Sequence, residues 1–390
     1  MVKQEEGNTL DILYMDNAAT SYPKPESVYV AIDNFNRNMG GNPGRGSSRQ
    51  ALTSGSILAE AREALAALFN VDDGRCISFG PNVTEALNIG LKGVLNPGDH
   101  VITTSMEHNA VARPLTALSR QGIQWTRVRC DSAGRLDLED MRKAIQTNTR
   151  MICTLHASNL TGTIMPIKEI GALAREHGLI FMLDSAQSAG GLPLDVKEQN
   201  IDILAFTGHK GLLGPQGIGG IYVRPGVAVR PLKEGGTGSL SEELTHPEFM
   251  PDLLECGTPN TPGAAGLLAG VEFINEVGLD NVCRREKELT ADLITGLREI
   301  KEVRLYGPLN PAEQTAVISF NIEDMDCGDV SLRLDYEYGI VTRSGLHCAP
   351  LAHSTAGSLT RGSCRLSPGY FTSREDIKKV VEAVYKIART

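Results

Sequence analysis

The stretch that most constrains this chain is 201–220, IDILAFTGHKGLLGPQGIGG. Ile201 to Phe206 has the length and apolar character of a buried strand. It opens into Thr207, Gly208, His209 and Lys210, and a glycine-rich turn follows. The lysine precedes the glycines, so the order is not that of a P-loop. A lysine just past a buried strand sits where open α/β sheets bind ligands, although a Gly-Lys pair alone is better read as a surface loop. The upstream run LIFMLDSAQ, 179–187, reads as a second buried strand ending in Asp184, with Gln187 three residues on. A lysine at one strand end and a carboxylate at another are what pyridoxal phosphate (PLP) requires. The amine engages its aldehyde and the anion holds its ring nitrogen protonated.

The 390 residues, 41% of them hydrophobic, are enough for a large core and two domains. A formal net charge of -9 and the lack of a long basic run argue against nucleic acid as a partner. No apolar run approaches the roughly 18 residues of a membrane span. The first residues, MVKQEEGNTLDILYMD, contain no apolar core of a secretory signal. The eight cysteines are scattered without a C-x-x-C pair, which disfavours a zinc ribbon or a thioredoxin motif. A reducing cytoplasm is therefore expected, with most cysteines acting as small buried apolar groups.

Taken in order, LYMDNAAT (13–20) reads as a short strand and polar turn, with Asn17 in the turn. GGNPGRGSSR (40–49) is a glycine-rich loop whose Arg45 and Arg49 suit either an anion or solvent. A helix over 50–69 follows, then a strand at 76–79. Asn82 and Glu85 have capping-box spacing before a helix that carries Val83, Leu87, Leu91 and Val94. With Thr84 in its first turn, that helix start is either a plain cap or a phosphate cup. Strands are expected at 101–104, 123–129 and 150–156, with helices at 137–146 and 168–177. His108 and Asn159 fall just past strand ends, and an imidazole at that place can stack on a flat ring. The alternation from about 70 to 210 predicts a mainly parallel α/β sheet. Composition shifts at the loop-rich 233–262. Beyond it come helices at 264–276 and 279–302, strands at 316–322, 339–342 and 361–366, and a helix at 373–388 opened by an S-x-x-D cap.

DNAAT (16–20), NVTEALN, EHN around His108, SNLTGT (158–163), LDSAQ (183–187), TGHKGLLGP (207–215), CGTPN (256–260) and RSGLHCAP (343–350) together resemble the class V aminotransferase-like PLP enzymes, and among them the cysteine desulfurases. The resemblance runs nearly end to end. It implies a fold type I α/β architecture: a large PLP domain with a mainly parallel sheet over 20–262, and a smaller α+β domain from 1–19 plus 263–390. It also implies that Lys210 is the Schiff-base lysine, Asp184 the pyridinium partner, His108 the stacking ring and Gln187 a donor to the phenolic oxygen. Thr84, Thr207 and His209 would belong to the phosphate cup, with Asn82 compensating for Val83 where the family commonly has a first threonine. In family dimers Gly257 and Thr258 would reach the neighbouring subunit's phosphate. Asn159 and Arg365 would hold the substrate carboxylate, which suits the planar fork of arginine, and Arg343 would stand near the reactive cysteine. Asn17 would lie at the substrate. Leu346 departs from a histidine found in many relatives.

The implied reaction converts L-cysteine to L-alanine and leaves a persulfide on Cys348, with Lys210 moving the Cα proton. Cys348 alone among the cysteines lies in a polar loop flanked by arginine, a setting that favours a thiolate. A zinc site from His347, Cys348, His353 and Cys364 fits no standard ligand spacing, so no metal is expected. A homodimer and a sulfur-acceptor protein are the expected partners. Three alternatives share the same parts: a selenocysteine lyase acting on L-selenocysteine, a class V aminotransferase or other PLP lyase, and a PLP-binding scaffold acting through a partner protein.

Overall fold

The computed structural model describes residues 12–44, 46 and 48–390. Arg45 and the first eleven residues, part of the expected smaller domain, lie outside them.

The first described elements are β1 (Leu13–Tyr14), α1 (Glu26–Asn34) and α2 (Arg49–Phe69). Helix α2 starts at Ser48, whose hydroxyl accepts from Ala51 N at 3.2 Å, and it buries Leu58, Ala61 and Leu65 on one face. Then come β2 (Ile77–Gly80), α3 (Val83–Val94), β3 (His100–Thr104), α4 (Asn109–Ser119), β4 (Gln124–Val128), α5 (Leu138–Lys143), β5 (Thr149–Leu155), α6 (Ile167–Glu176), β6 (Ile180–Asp184), β7 (Ile203–Thr207) and β8 (Gly219–Val223). The seven strands form one sheet in the order β2-β8-β7-β6-β5-β3-β4. Every pairing is parallel except those of β8, which runs against both β2 and β7. The mainly parallel α/β architecture expected from the sequence is thus present.

Helices cover both faces of this sheet, so its central strands are buried on both sides and read as continuous apolar runs. On one face Ile152, Phe181, Leu183, Leu204 and Phe206 pack with α2 and α6; on the other Met151, Met182, Ile203 and Ala205 pack with α3 and α4. The expected helix 137–146 is shorter, ending at Lys143, because the chain leaves the helix to enter β5. The GPQGIGG run, expected to be only a turn, continues directly into β8.

The rest of the chain forms α7 (Thr261–Val277), α8 (Leu279–Arg298), β9 (Val303–Tyr306), β10 (Ile318–Ile322), α9 (Cys327–Tyr338), β11 (Ile340–Val341), β12 (Arg343–Gly345), α10 (Pro350–Ala356), β13 (Ser363–Leu366) and α11 (Arg374–Ile387). Four strands make an antiparallel sheet, β12-β13-β10-β9, on which α8, α9 and α11 pack through Leu293, Leu334 and Val380. The cap expected at Ser373 is a full capping box: Ser373 Oγ accepts from Asp376 N at 3.0 Å, and Asp376 Oδ2 accepts from Ser373 N at 2.9 Å. Helix α7 runs through the expected boundary at residue 262 and buries Ala264, Leu267, Val271 and Ile274 in the core of the seven-stranded sheet. Strand β1 pairs with β11 in a separate two-stranded sheet, and Asp16 bridges to Ser367 just past β13, so the N-terminal segment is tied to the C-terminal part of the chain.

Candidate active site

Strand polarity brings the sequence candidates together. Strands β3, β5, β6 and β7 run the same way, so His108, Asn159, Asp184, Gln187 and Lys210 all follow carboxyl ends on one edge of the sheet. The reversed β8 begins at that same edge: Gly219 is the register partner of both Gly80 in β2 and Thr207 in β7. A Cβ on Gly219 would lie 2.7 Å from Phe206 O and 3.0 Å from Asn82 Cα. Only glycine lets the start of α3 settle against the end of β7.

Helix α3 is capped as its sequence predicts, but by half of a capping box. Asn82 Oδ1 accepts from Glu85 N at 3.0 Å, while the Glu85 carboxylate is taken by Lys233 Nζ at 2.7 Å. Asn82 and Thr84 stay exposed at this helix start. Nearby, Thr207 Oγ1 and His209 Nδ1 are buried without a hydrogen-bond partner.

Burial dominates the electrostatics. It pulls the Lys210 amine down to about 8, with the Asp184 carboxylate acting in the opposite direction. Asp184 is 4% exposed; burial raises its carboxyl, offset by a hydrogen bond from Ala186 N to Oδ1 at 2.9 Å and by Lys210. Burial and the Lys210 charge bring His108 down to about 4. The imidazole is therefore neutral. Its Nδ1 accepts from Ala110 N at 3.0 Å, which leaves the proton on Nε2. Gln187 Nε2 donates to Ala18 O at 2.9 Å, and both residues line a cavity with Asn17 and Lys210.

The smaller sheet supplies the opposite wall. Arg343 and Arg365 are register partners on β12 and β13. Arg365, 1% exposed, donates through Nη1 to Asn159 O at 2.9 Å and through Nη2 to Asp16 Oδ1 at 2.6 Å. Its Nε has no partner. Asn159 Nδ2 donates to His347 O at 2.7 Å, and its Oδ1 is unpartnered. Cys348 is exposed, and its Sγ lies 3.8 Å from Arg343 Nη2. Its carbonyl accepts from Asn109 N at 2.9 Å, which joins the cysteine loop to the residue after His108. His347 and His353 face each other, ring nitrogens 3.3 Å apart, and the Cys364 thiol faces Thr342 Oγ1 at 3.6 Å. Gly257 and Thr258 are not brought to Lys210. They are exposed on a separate cavity with Arg62, Glu85 and Lys233.

Two acids escaped the sequence reading although both stand in motifs that it singled out. Asp16 of DNAAT meets Arg365 only because Asp16 bridges to Ser367, two residues past that arginine. Glu107 of EHN is wholly buried and accepts from Thr104 Oγ1 at 2.7 Å and Leu155 N at 3.1 Å; Leu155 is the register partner of Asp184. Burial, the largest cause, pushes the Glu107 carboxyl up to about 8. The signal was an acid next to the candidate His108 in the turn between β3 and α4. For Asp16→Asn, loss of the carboxylate strands a buried guanidinium, which should destabilise the chain by roughly 3–5 kcal/mol. Denaturant unfolding of the variant checks this; an unchanged midpoint would show that the pair does not tie the N-terminal segment down.

The profile of the family described as aminotransferase class-V matches residues 13–380. A probable cysteine desulfurase of Pyrococcus abyssi is 34% identical, the alignment covering 100% of this chain and 97% of that protein. A cysteine desulfurase of Shigella sonnei is 32% identical over 100% of this chain and 96% of its own length. The solved apo cysteine desulfurase of Thermococcus onnurineus superimposes with a TM-score of 0.91 at 33% identity, covering 97% of this chain and 95% of that one. With strand-end lysine and carboxylate, facing arginines and full-length similarity in agreement, the chain belongs to the class V aminotransferase family, within its cysteine desulfurase group.

Proposed function

We propose that this chain is a PLP-dependent cysteine desulfurase that takes sulfur from L-cysteine onto Cys348 and releases L-alanine. The observation that carries the reading is that buried Lys210 feels the charges of Asp184, Arg365 and Arg343, while the exposed Cys348 Sγ lies 3.8 Å from Arg343 Nη2. Family members are generally PLP-dependent, and the residues here fit that group. Thr207 Oγ1 and His209 Nδ1 are buried polar atoms in want of a partner, next to a helix N-terminus suited to a phosphate. Asp184 is a buried anion for a protonated ring nitrogen, and neutral His108 offers a flat face. When bound, PLP supplies an electrophilic carbon for an amine and a ring that takes up electrons.

The protein's own groups divide the remaining work. Arg365 Nε and the second N–H of Asn159 Nδ2 are the donors for the substrate carboxylate. Lys210 Nζ, free of its proton, takes the proton from the substrate Cα. Asp184 keeps its charge against the ring nitrogen. Cys348 Sγ forms a bond to the substrate sulfur; the substrate Cβ–Sγ bond breaks and its electron pair stays on carbon. Protonation of that carbon and return of a proton from Lys210 Nζ to Cα yield alanine, with the persulfide left on Cys348. Eight free cysteines suit a reducing, cytoplasmic setting, and no helix among the described residues is long and apolar enough to cross a membrane. A sulfur-acceptor protein would take the persulfide from the exposed loop.

Lys210 must be neutral to engage the PLP aldehyde, so uptake of PLP by PLP-free protein should quicken as pH rises through about 8 and level off above it. Stopped-flow absorbance from pH 6 to 10 measures this; a midpoint near that of an ordinary lysine would contradict the burial effect. Borohydride reduction and peptide mapping should then find the pyridoxyl group on Lys210.

Cys348→Ser should lower alanine release from L-cysteine at least about a hundredfold while PLP binding stays intact. A hydroxyl is barely ionised near neutral pH and attacks sulfur weakly. Desulfuration at the wild-type rate would move the chain to an ordinary lyase or aminotransferase. If the same variant kept its activity on L-selenocysteine, the selenium substrate would be the better assignment.

A symmetric homodimer with composite sites is the expected assembly, supported by the exposed placement of Gly257 and Thr258 away from their own Lys210. Mixed Lys210→Ala and Thr258→Ala chains should form hybrids with one intact site and more activity than either parent. Hybrids without that gain would rule out shared sites.

A further inference from the structure

The loop that carries Cys348 is held in an unusual backbone pose. His347 and Cys348 are consecutive L residues with φ of +50° and +55°, a left-handed conformation that side chains disfavour. The surroundings must hold them there. The Cys348 carbonyl accepts from Asn109 N at 2.9 Å and the His347 carbonyl from Asn159 Nδ2 at 2.7 Å, so both peptide units are tied to the large sheet's side of the cleft. Behind them lies a chain of polar side chains with no part in the reaction described above. His347 Nε2 is 3.2 Å from Arg343 O, His347 Nδ1 is 3.3 Å from His353 Nε2, and His353 Nδ1 is 2.8 Å from Ser358 Oγ. All three residues are at most 2% exposed.

The direction of this chain follows from its end. A carbonyl oxygen only accepts, so the Arg343 carbonyl requires the proton on His347 Nε2. Burial is the main force that lowers both rings, His347 to about 3 and His353 to about 4, so each is neutral and carries one N–H. His347 Nδ1 is then an acceptor, which places a proton on His353 Nε2. His353 Nδ1 is an acceptor in turn, and Ser358 donates its hydroxyl proton to it. The ring planes differ by only 10° with centroids 5.6 Å apart, as a bond between ring nitrogens in the plane of both rings needs.

We propose that Ser358, His353 and His347 form a one-way hydrogen-bond chain that positions the Cys348 thiol against the Arg343 guanidinium. Its terminal bond links the backbone of Arg343 to the residue before Cys348, so it sets the spacing between β12 and the loop tip. Its other end is anchored by helix α10, whose Ala352 and Ala356 are in the large hydrophobic core. Breaking the chain leaves a buried ring nitrogen unpaired and frees the tip to leave its left-handed pose. The thiol then loses its guanidinium neighbour, 3.8 Å away in the intact chain. These are positioning residues; none touches the reacting atoms.

The test uses the full PLP-loaded chain as wild type, His353→Leu, His353→Gln and Ser358→Ala. Iodoacetamide alkylation of Cys348 is followed by peptide mass spectrometry, beside thermal unfolding and the kcat and KM for alanine release. Glutamine offers an N–H to His347 and a carbonyl to Ser358, so it should alkylate within about twofold of wild type. Loss of one net hydrogen bond predicts slowing by about tenfold in His353→Leu and about threefold in Ser358→Ala. The kcat should follow the same order with KM little changed. Folded His353→Leu protein with unchanged or faster alkylation would overturn the proposal, as would His353→Gln as slow as His353→Leu. Should His353→Leu not fold, Ser358→Ala decides alone, and a wild-type rate rejects the chain. Only the kinetic arm rests on the desulfurase reading. If wild-type protein released no alanine that reading would fall, while alkylation would still decide the positioning role.

Discussion

The site depends first on strand polarity. Strands that run the same way end on the same side, so β3, β5, β6 and β7 deliver His108, Asn159, Asp184 and Lys210 to one edge without any of these side chains seeking the others. Reversing β8 adds what a purely parallel sheet would not: its first residue, Gly219, sits between the ends of β2 and β7. The amino end of α3, which follows β2, is thereby placed beside Thr207. The helix terminus at Asn82 and the strand end at Thr207 meet where the backbone lacks a Cβ.

Enclosure of that edge then tunes its chemistry. The same burial that lowers Lys210 towards neutrality keeps His108 neutral and raises Asp184, against the opposing pull of the Ala186 hydrogen bond and the Lys210 charge. An amine that gives up its proton near pH 8 can act both as a nucleophile and as a base. Two carboxyls, Glu107 and Asp184, lie on adjacent parts of the buried sheet, and burial raises both. Glu107 is held by backbone N–H groups of two strands, so it braces the turn that presents His108 as well as the strand aligned with Asp184.

The second wall is assembled from distant parts of the chain. The Asp16 and Arg365 pair is buried and hydrogen-bonded, and it links the N-terminal segment to β13 across nearly the whole sequence. Such a pair adds little net stability over an apolar replacement, but removing one partner is costly, so it is better understood as fixing geometry. Arg365 also reaches Asn159 O, which makes the guanidinium the bridge between the two sheets. Cys348 stands at an exposed tip with its Sγ 3.8 Å from Arg343 Nη2, and Arg343 is the register partner of Arg365.

Local pattern alone determined much of this. Apolar runs of strand length, ending in Asp184 and before Lys210, and caps such as Ser48, Asn82 and Ser373 are short-range signals. Each depends on neighbours a few residues away, so the alternating α/β order and the strand-end candidates were legible in the sequence. Helices α1 and α9 were not, nor was β8, whose glycines read as a turn. The reversal of β8, the packing of α7 under the large sheet, the Asp16 to Arg365 pair and the His347 to Ser358 chain were decided by tertiary structure. All but the last join segments far apart in the sequence. That last one joins near neighbours, yet its direction exists only because folding buries both rings and aims one at a carbonyl. Periodicity records which face of an element is apolar; it does not record which other element will cover that face.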